Sequence, residues 1–343
     1  MKALVLEAYR KLVYQDVPLP ELADDEVLVE VKACGICGSD VHGWDGSTGR
    51  RIPPLIMGHE ASGVIAALGN LVRTWKIGDR VTFDSTIYKL DDWYTRKGMY
   101  NLSDHRQVLG VSPGEYRRPG AFTEYTAIPQ HILYKMPDNI SFNQAAMVEP
   151  FAVAFHAIDL TPFCLNDSVL VVGAGMIGLC LIQALRLRGC GRIWAVDADP
   201  DRLKLALQFG ADQCFSADAL DIAAVIKGQT HGRGADVAFE AVGIAASVKT
   251  ALTAVRKGAT ITLVGNLSPS VELPLQAVVT QQLRLQGSCA IAGEFPAVLA
   301  KMACGVLQTD PLMTITAPLS EGAVWFERLY QKEKGLMKVI LNP

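Results

Sequence analysis

An apolar run, Ser168-Val169-Leu170-Val171-Val172, breaks into Gly173-Ala174-Gly175-Met176-Ile177-Gly178 and then into a helical pattern that continues through Arg188. A run with no alternation suits a strand buried on both faces, as in a parallel sheet covered by helices. The glycines then have separate jobs. Gly173 permits the tight turn, Gly175 lets the backbone approach a pyrophosphate, and Gly178 lets the helix, which Met176 and Ile177 begin, pack close to the sheet. The helix N-terminus offers free N–H groups and a positive dipole end to the phosphates. Glycine triplets also occur by chance in loops; here the strand before and the helix after give the pattern its meaning as a dinucleotide site.

Arg192-Ile193-Trp194-Ala195-Val196 reads as the next strand, and Asp197 closes it about 20 residues beyond the glycines, where a carboxylate meets a ribose 2′-hydroxyl and repels a 2′-phosphate. NAD is therefore expected rather than NADP. An N-cap role for Asp197 is the competing reading, but Asp199, directly before Pro200, fills that role better.

The same rhythm extends along the middle of the chain. Pro200 to Phe209 is helical in pattern, Ala235–Phe239, Ala259–Val264 and Leu283–Gly287 read as strands, and the alternation predicts a doubly wound parallel sheet. The first part is β-rich instead, with Val27–Lys32 and Asp79–Phe83 as strands between glycine- and proline-punctuated connections. The tail adds two helical stretches and a closing strand, Met337–Leu341. The expected organisation is an α/β chain in which residues 151–287 form the nucleotide domain, inserted between residues 1–150 and 288–343 of a catalytic domain.

With 343 residues the chain is long enough for two cores. Its formal net charge is -3 and its Lys and Arg residues are dispersed, which argues against nucleic acid as a partner. No uncharged apolar stretch approaches the ~20 residues of a membrane span, and the N-terminus lacks the pattern of a signal peptide. Eight cysteines lie scattered, several in apolar contexts such as Leu179-Cys180-Leu181, so reduced thiols and a cytoplasmic location are expected.

A second constellation lies in the first domain. Cys37-Gly38-Ser39-Asp40-Val41-His42 and Gly58-His59-Glu60 bring a thiolate, imidazoles and carboxylates, which are ligands zinc accepts in sites that keep one position open. A lone cysteine is most often a small core residue and a lone histidine structural. Their company changes that: Gly35 and Gly38 flank Cys37, Glu60 adjoins His59, and Glu149 precedes Pro150 where the chain crosses over.

With these residues in this order, the chain resembles the zinc-dependent medium-chain alcohol and polyol dehydrogenases over essentially its whole length. The resemblance rests on Gly35-Ile36-Cys37-Gly38-Ser39-Asp40-Val41-His42, Gly58-His59-Glu60-Ala61-Ser62-Gly63, Glu149-Pro150 and the glycine triplet. It implies a GroES-like catalytic domain plus a Rossmann domain, with the active site in the cleft between them. It implies catalytic zinc on Cys37 and His59 with a carboxylate as third ligand. In the polyol branch the residue matching Glu60 often binds directly while the one matching Glu149 holds a zinc-bound water; in other branches the position of Glu149 is itself the ligand. Asp40 fits a role orienting the histidine. Ser39 and His42 match a proton relay, with an N-cap and an exposed helix position as their competing readings. Val264-Gly265-Asn266 and Ser288-Cys289-Ala290 match segments that contact the cofactor, and Arg202 fits a contact near the adenosine, unless it is an ordinary solvated helix arginine.

The chain departs from that pattern in two places. Where most members hold a structural zinc on four cysteines, aligning on Tyr88 and Gly98–Leu102 leaves Lys89, Asp92, Thr95 and Ser103. One catalytic zinc and no structural zinc are expected, with the lobe from about 84 to 118 held by packing that draws on Trp93 and Tyr94. The second departure concerns substrate. Gly120-Ala121-Phe122 places an aromatic near the cleft, but the Arg-Tyr pair of animal sorbitol dehydrogenases is replaced by Ala290-Ile291. Arg50, Arg51, Arg117 and Arg118 could serve a phosphorylated substrate, or be solvated. The expected activity is NAD-dependent oxidation of a secondary alcohol of a polyol. L-Threonine 3-dehydrogenase or butanediol dehydrogenase is an alternative, and a non-catalytic dinucleotide-binding protein the competitor from another class. The family resemblance also implies a homodimer or homotetramer.

Overall fold

The strand Ser168–Val172 lies inside a six-stranded sheet, with Arg192–Asp197 on one side and Ala235–Glu240 on the other. Gln213–Ser216 extends the sheet beyond the former, and Val255–Leu263 and Arg284–Gly287 beyond the latter; all five pairings are parallel. The chain order reverses at Ser168–Val172, so the sheet has its switch point where the glycine turn leaves it. The structure is a computed structural model describing residues 1–111, 117–218 and 221–343. By compactness the chain divides into two units, Val153–Ala290 and a discontinuous one of Met1–Ala152 with Ile291–Pro343.

In the nucleotide unit, Leu170, Trp194, Ala238 and Ile261 are wholly buried and pack with Val248 and Leu252 of the helix Ala245–Ala254. The helix Met176–Arg188 is buried without a break from Gly178 to Leu185 and stops at Gly189, whose φ of 89° is the left-handed C-cap that glycine adopts without strain.

The other unit is built around a seven-stranded sheet whose hub is Glu26–Gly35. Glu60–Leu68 pairs antiparallel with the hub and sets Glu60 opposite Gly35. The closing strand Lys338–Asn342 pairs with the same end of the hub, Ile340 opposite Gly35. Three segments far apart in sequence therefore meet at one strand end, which places Glu60 beside Lys338.

The lobe whose cysteines are missing is organised by carboxylates and stacked rings. Asp92 Oδ1 accepts the N–H groups of Tyr94 and Thr95, capping the helix Trp93–Arg96, while Oδ2 accepts from the Asp104 N–H. Tyr88 stacks on Tyr100 at 4.2 Å and meets His131 edge-on at 4.9 Å. Trp93 packs on Tyr94 but is 62% exposed, so of the two aromatics expected to hold the lobe it lies largely at the surface. Residues 112–116 of this lobe lie outside the described residues.

At the lobe's base Asp84 is fully buried, accepting from the Thr86 N–H at 2.8 Å and the Tyr100 hydroxyl at 3.0 Å. Burial pushes its carboxyl up to about 7, with Glu294 adding to the rise and the two hydrogen bonds opposing it. The folded chain then holds this proton across a range in which the unfolded chain has lost it. The stability so contributed is complete below the ordinary carboxyl pKa of 3.8 and is lost as the pH rises through about 7. Asp84→Asn, which cannot ionise, is expected to gain in melting temperature relative to the wild type between pH 5 and pH 8. An unchanged difference at the two pH values would show that Asp84 does not titrate in this window.

Candidate metal centre and nucleotide site

The short helix Gly38–Trp44 starts two residues earlier than an N-cap at Ser39 requires. Cys37 is the N-cap, in extended backbone, and its N–H is accepted by Asp40 Oδ2 at 3.3 Å. That leaves the Ser39 hydroxyl free to donate to Cys37 Sγ at 3.3 Å. His42 follows in the last turn, three residues beyond Ser39, so the two share a face. It is half-buried rather than exposed.

Cys37, His59 and Glu60 converge: one donor atom from each lies within 4.8 Å of the others, the only such group of three among the described residues. His59 and Glu60 are buried and Cys37 half-buried. His59 Nδ1 lies 3.4 Å from Asp40 Oδ1, a charge contact too poorly directed to count as a hydrogen bond, and leaves Nε2 as the other donor. Burial alone lowers the imidazole pKa, but the Asp40 carboxylate and the Cys37 sulfur more than offset that and raise it. Asp40 shows the reverse balance. Its burial favours the neutral acid, yet His59 and Arg51 hold its carboxyl below the ordinary range.

Glu60 is 1% exposed and its Oε2 accepts from Lys338 Nζ at 2.6 Å. Lys338, 2% exposed, also donates to the Ile36 carbonyl at 3.1 Å. Burial disfavours its charge, but Glu60 and the Cys37 sulfur outweigh this and raise its pKa. Gly35 supplies the room: a Cβ there would lie 2.5 Å from Glu60 Oε2. Glu149, in the first turn of the helix Val148–Asp159, stands outside the converging group. Its carboxyl is pushed up by burial and by Glu60, with His59 opposing. One thiolate, one imidazole and one carboxylate, held by buried partners, fit a zinc site of three protein ligands with an open position.

Other sequence expectations resolve differently. Arg51 is a buried partner of Asp40 rather than a solvated loop arginine. Arg118 pairs with Glu26 and Arg117 donates to the Pro54 carbonyl, while Arg50 is exposed. Phe122 is fully buried, edge-on to Phe326 at 5.7 Å, because Gly58 and Gly120 let two backbones meet beneath it. It belongs to the core. Lys338 was not marked by its sequence context as part of the site, and Arg51 was marked only for a substrate phosphate, not as a partner of Asp40. A lysine opening an apolar closing strand was the only available signal.

In the nucleotide unit Gly173 has a φ of 97°, and a Cβ at Gly178 would lie 1.8 Å from the Gly173 carbonyl oxygen. Gly175 is the N-cap of the helix Met176–Arg188 and has no side chain to satisfy the first N–H groups. Asp197 Oδ2 accepts the Ala174 N–H at 2.7 Å, which fixes the carboxylate against the glycine turn, and Oδ1 accepts the Asp199 N–H at 2.9 Å. Asp199 takes the capping role, accepting from Asp201 and Arg202. Arg202 pairs with Asp199 at 3.6 Å, and its Nη1 is the atom nearest the position a Gly175 Cβ would take, 3.9 Å away. Val264 and Gly265 both donate to the Glu240 carbonyl, and Ser288 to that of Leu263, along one rim of the sheet. Asn266 and Cys289 follow on that rim, and Ala290 has a φ of 54°.

Comparison with known proteins agrees with this layout. The chain matches the alcohol dehydrogenase GroES-like domain over residues 23–138 and the zinc-binding dehydrogenase domain over residues 177–303. Sorbitol dehydrogenase of Bacillus subtilis is 33% identical over 348 residues, spanning 100% of this chain and 97% of that protein. D-Xylulose reductase A of Aspergillus oryzae is 34% identical over 321 residues, spanning 91% and 88%. The solved structure of alcohol dehydrogenase TADH from Thermus sp. ATN1 superposes with a TM-score of 0.93 at 31% identity, covering 100% of this chain and 99% of that one. The chain belongs to the zinc-binding, medium-chain alcohol dehydrogenase family. It is an oxidoreductase acting on CH–OH groups, with a GroES-like domain and a Rossmann domain.

Proposed function

We propose that the protein oxidises a secondary alcohol of a polyol to the ketone, using one zinc per chain and NAD. The observation that carries this reading is the convergence of Cys37, His59 and Glu60 in a chain whose relatives include a sorbitol dehydrogenase and a D-xylulose reductase. Cys37, His59 and Glu60 are assigned as the zinc ligands. Bound there, zinc supplies Lewis acidity that lowers a hydroxyl pKa, and the nicotinamide accepts the hydride. Glu149, beside but outside the ligand set, is assigned to orient solvent or substrate. Ser39 Oγ and the His42 imidazole, on one helix face, are assigned to carry the proton outward.

The dinucleotide is assigned to the glycine turn, with phosphates at the uncapped helix start beyond Gly175 and the Ile177 and Gly178 backbone behind them. Arg202 is assigned to the adenosine end. The rim of Val264, Gly265, Asn266, Ser288, Cys289 and Ala290 is assigned to the nicotinamide end. NAD preference is assigned to Asp197. Asp197→Ala removes a charged hydrogen-bond acceptor, so the KM for NAD is expected to rise about tenfold or more while that for NADP does not. Equal changes for both cofactors would remove Asp197 from the discrimination.

The proposal is tested by following NAD reduction across sugar alcohols, vicinal diols, threonine and simple alcohols. The expected result is the highest kcat/KM on a polyol. Highest activity on butanediol or threonine would move the substrate assignment to those compounds. No activity on any alcohol would support a dinucleotide-binding protein without catalysis.

A further inference from the structure

One guanidinium group holds the partners of two different proposed ligands. Arg51 is 3% exposed, and its Nη2 donates both to Asp40 Oδ1, at 2.9 Å, and to Ser39 Oγ, at 3.1 Å. Those two acceptors face different members of the metal set. Asp40 Oδ1 is the atom 3.4 Å from His59 Nδ1, and the Ser39 hydroxyl is the donor to Cys37 Sγ. Room for the arginine is built into the helix: a Cβ on Gly43 would lie 2.7 Å from Arg51 Cγ and 2.9 Å from Cδ. Gly43 does not have a positive φ, so its lack of a side chain serves space rather than backbone conformation.

We propose that Arg51 is a positioning residue for the metal centre, fixing His59 through Asp40 and Cys37 through Ser39. The inference rests on the reading of Cys37 and His59 as metal ligands. The charge of Arg51 supports an Asp40 carboxylate that is completely buried. The two N–H bonds of its planar Nη2 group are held at a fixed angle toward the two acceptors, whereas a lysine ammonium rotates freely about its stem. Residues that orient metal ligands in this way commonly change metal affinity or activity by about 10- to 100-fold when replaced.

The test uses cobalt(II) loaded into the metal-free full-length protein, because thiolate ligation to cobalt is visible in its absorption. The rate at which excess EDTA removes cobalt is measured for the wild type, Arg51→Lys and Gly43→Ala, with circular dichroism confirming the fold. Arg51→Lys is expected to release cobalt about tenfold faster or more, with a weakened or shifted thiolate band. Gly43→Ala keeps every charge and adds one methyl group against the Arg51 stem, and is expected to change rate and spectrum in the same direction, to a smaller extent. If Arg51→Lys does not fold, Gly43→Ala decides alone. Folded variants with the wild-type release rate and spectrum would overturn the proposal. Failure of the underlying ligand assignment looks different: the wild type itself would show no thiolate–cobalt band, and Cys37→Ser would leave cobalt release unchanged.

Discussion

Replacing Cys37 with serine is expected to reduce alcohol oxidation by about three orders of magnitude or more while leaving NADH binding intact. The sulfur is the only soft donor in the converging group, and a serine hydroxyl does not provide an equivalent zinc ligand. Lewis-acid polarisation is worth several kcal/mol of transition-state stabilisation, and each 1.36 kcal/mol is a factor of about ten in rate. The same substitution takes away the acceptor of the Ser39 hydroxyl, so the proposed proton carrier would be released together with the proposed ligand. The glycine turn lies in the other unit and makes no use of Cys37, so NADH fluorescence titration should return the wild-type Kd. Activity within tenfold of the wild type would show that Cys37 is not part of the reacting centre.

The second large effect is on stability. Lys338→Met is expected to destabilise the metal-free protein by about 3–5 kcal/mol, the cost of leaving one member of a buried ion pair without its partner. Both side chains are almost wholly buried, and the ammonium also satisfies the Ile36 carbonyl, so its loss takes the donor from two buried oxygens at once. Zinc bound at the proposed centre would give Glu60 another positive neighbour, so the loss should shrink in zinc-loaded protein. Glu60→Gln in the same chain should restore part of the stability, since the buried charge is then gone. Denaturant unfolding of the metal-free wild type, Lys338→Met, Glu60→Gln and the double variant gives the comparison. A Lys338→Met protein as stable as the wild type would mean that Glu60 takes up a proton instead, and that the pair does not hold the carboxylate ready for metal.

Part of this was legible in sequence because its signals are local. Ser168–Val172, the glycine turn and the helix to Arg188 lie within one stretch of chain, and strand, turn and helix follow from apolar run, glycine spacing and periodicity. Asp199 could be separated from Asp197 because a residue before proline is a natural cap. Cys37 and the pair His59–Glu60 stood out in glycine-rich surroundings. The supporting residues did not. Lys338 reaches Glu60 from 278 positions away, through a strand order that no local pattern announces. Arg51 was ambiguous because a polar loop looks the same whether its guanidinium meets water or a buried carboxylate. Ser39 looked like a cap, but the extended backbone at Cys37 turns the chain two residues earlier. Phe122 was expected near the cleft; it is fully buried against Gly58, one residue before His59, and sequence gives no sign of the close backbone approach at Gly58 and Gly120 that seats it there. In the lobe, loss of the cysteines was plain, but the hydrogen bonds of Asp92 and the Tyr88–Tyr100 stack depend on contacts that spacing alone does not specify.

The most direct test of the proposed centre is anomalous diffraction from crystals of the zinc-loaded protein, recorded on both sides of the zinc absorption edge. One peak per chain is expected, about 2.3 Å from Cys37 Sγ and within bonding distance of a His59 nitrogen and a Glu60 oxygen. A peak bonded to Glu149 in place of Glu60 would overturn the choice of carboxylate. A zinc site in the lobe at Asp92, with none at Cys37, would contradict the account as a whole.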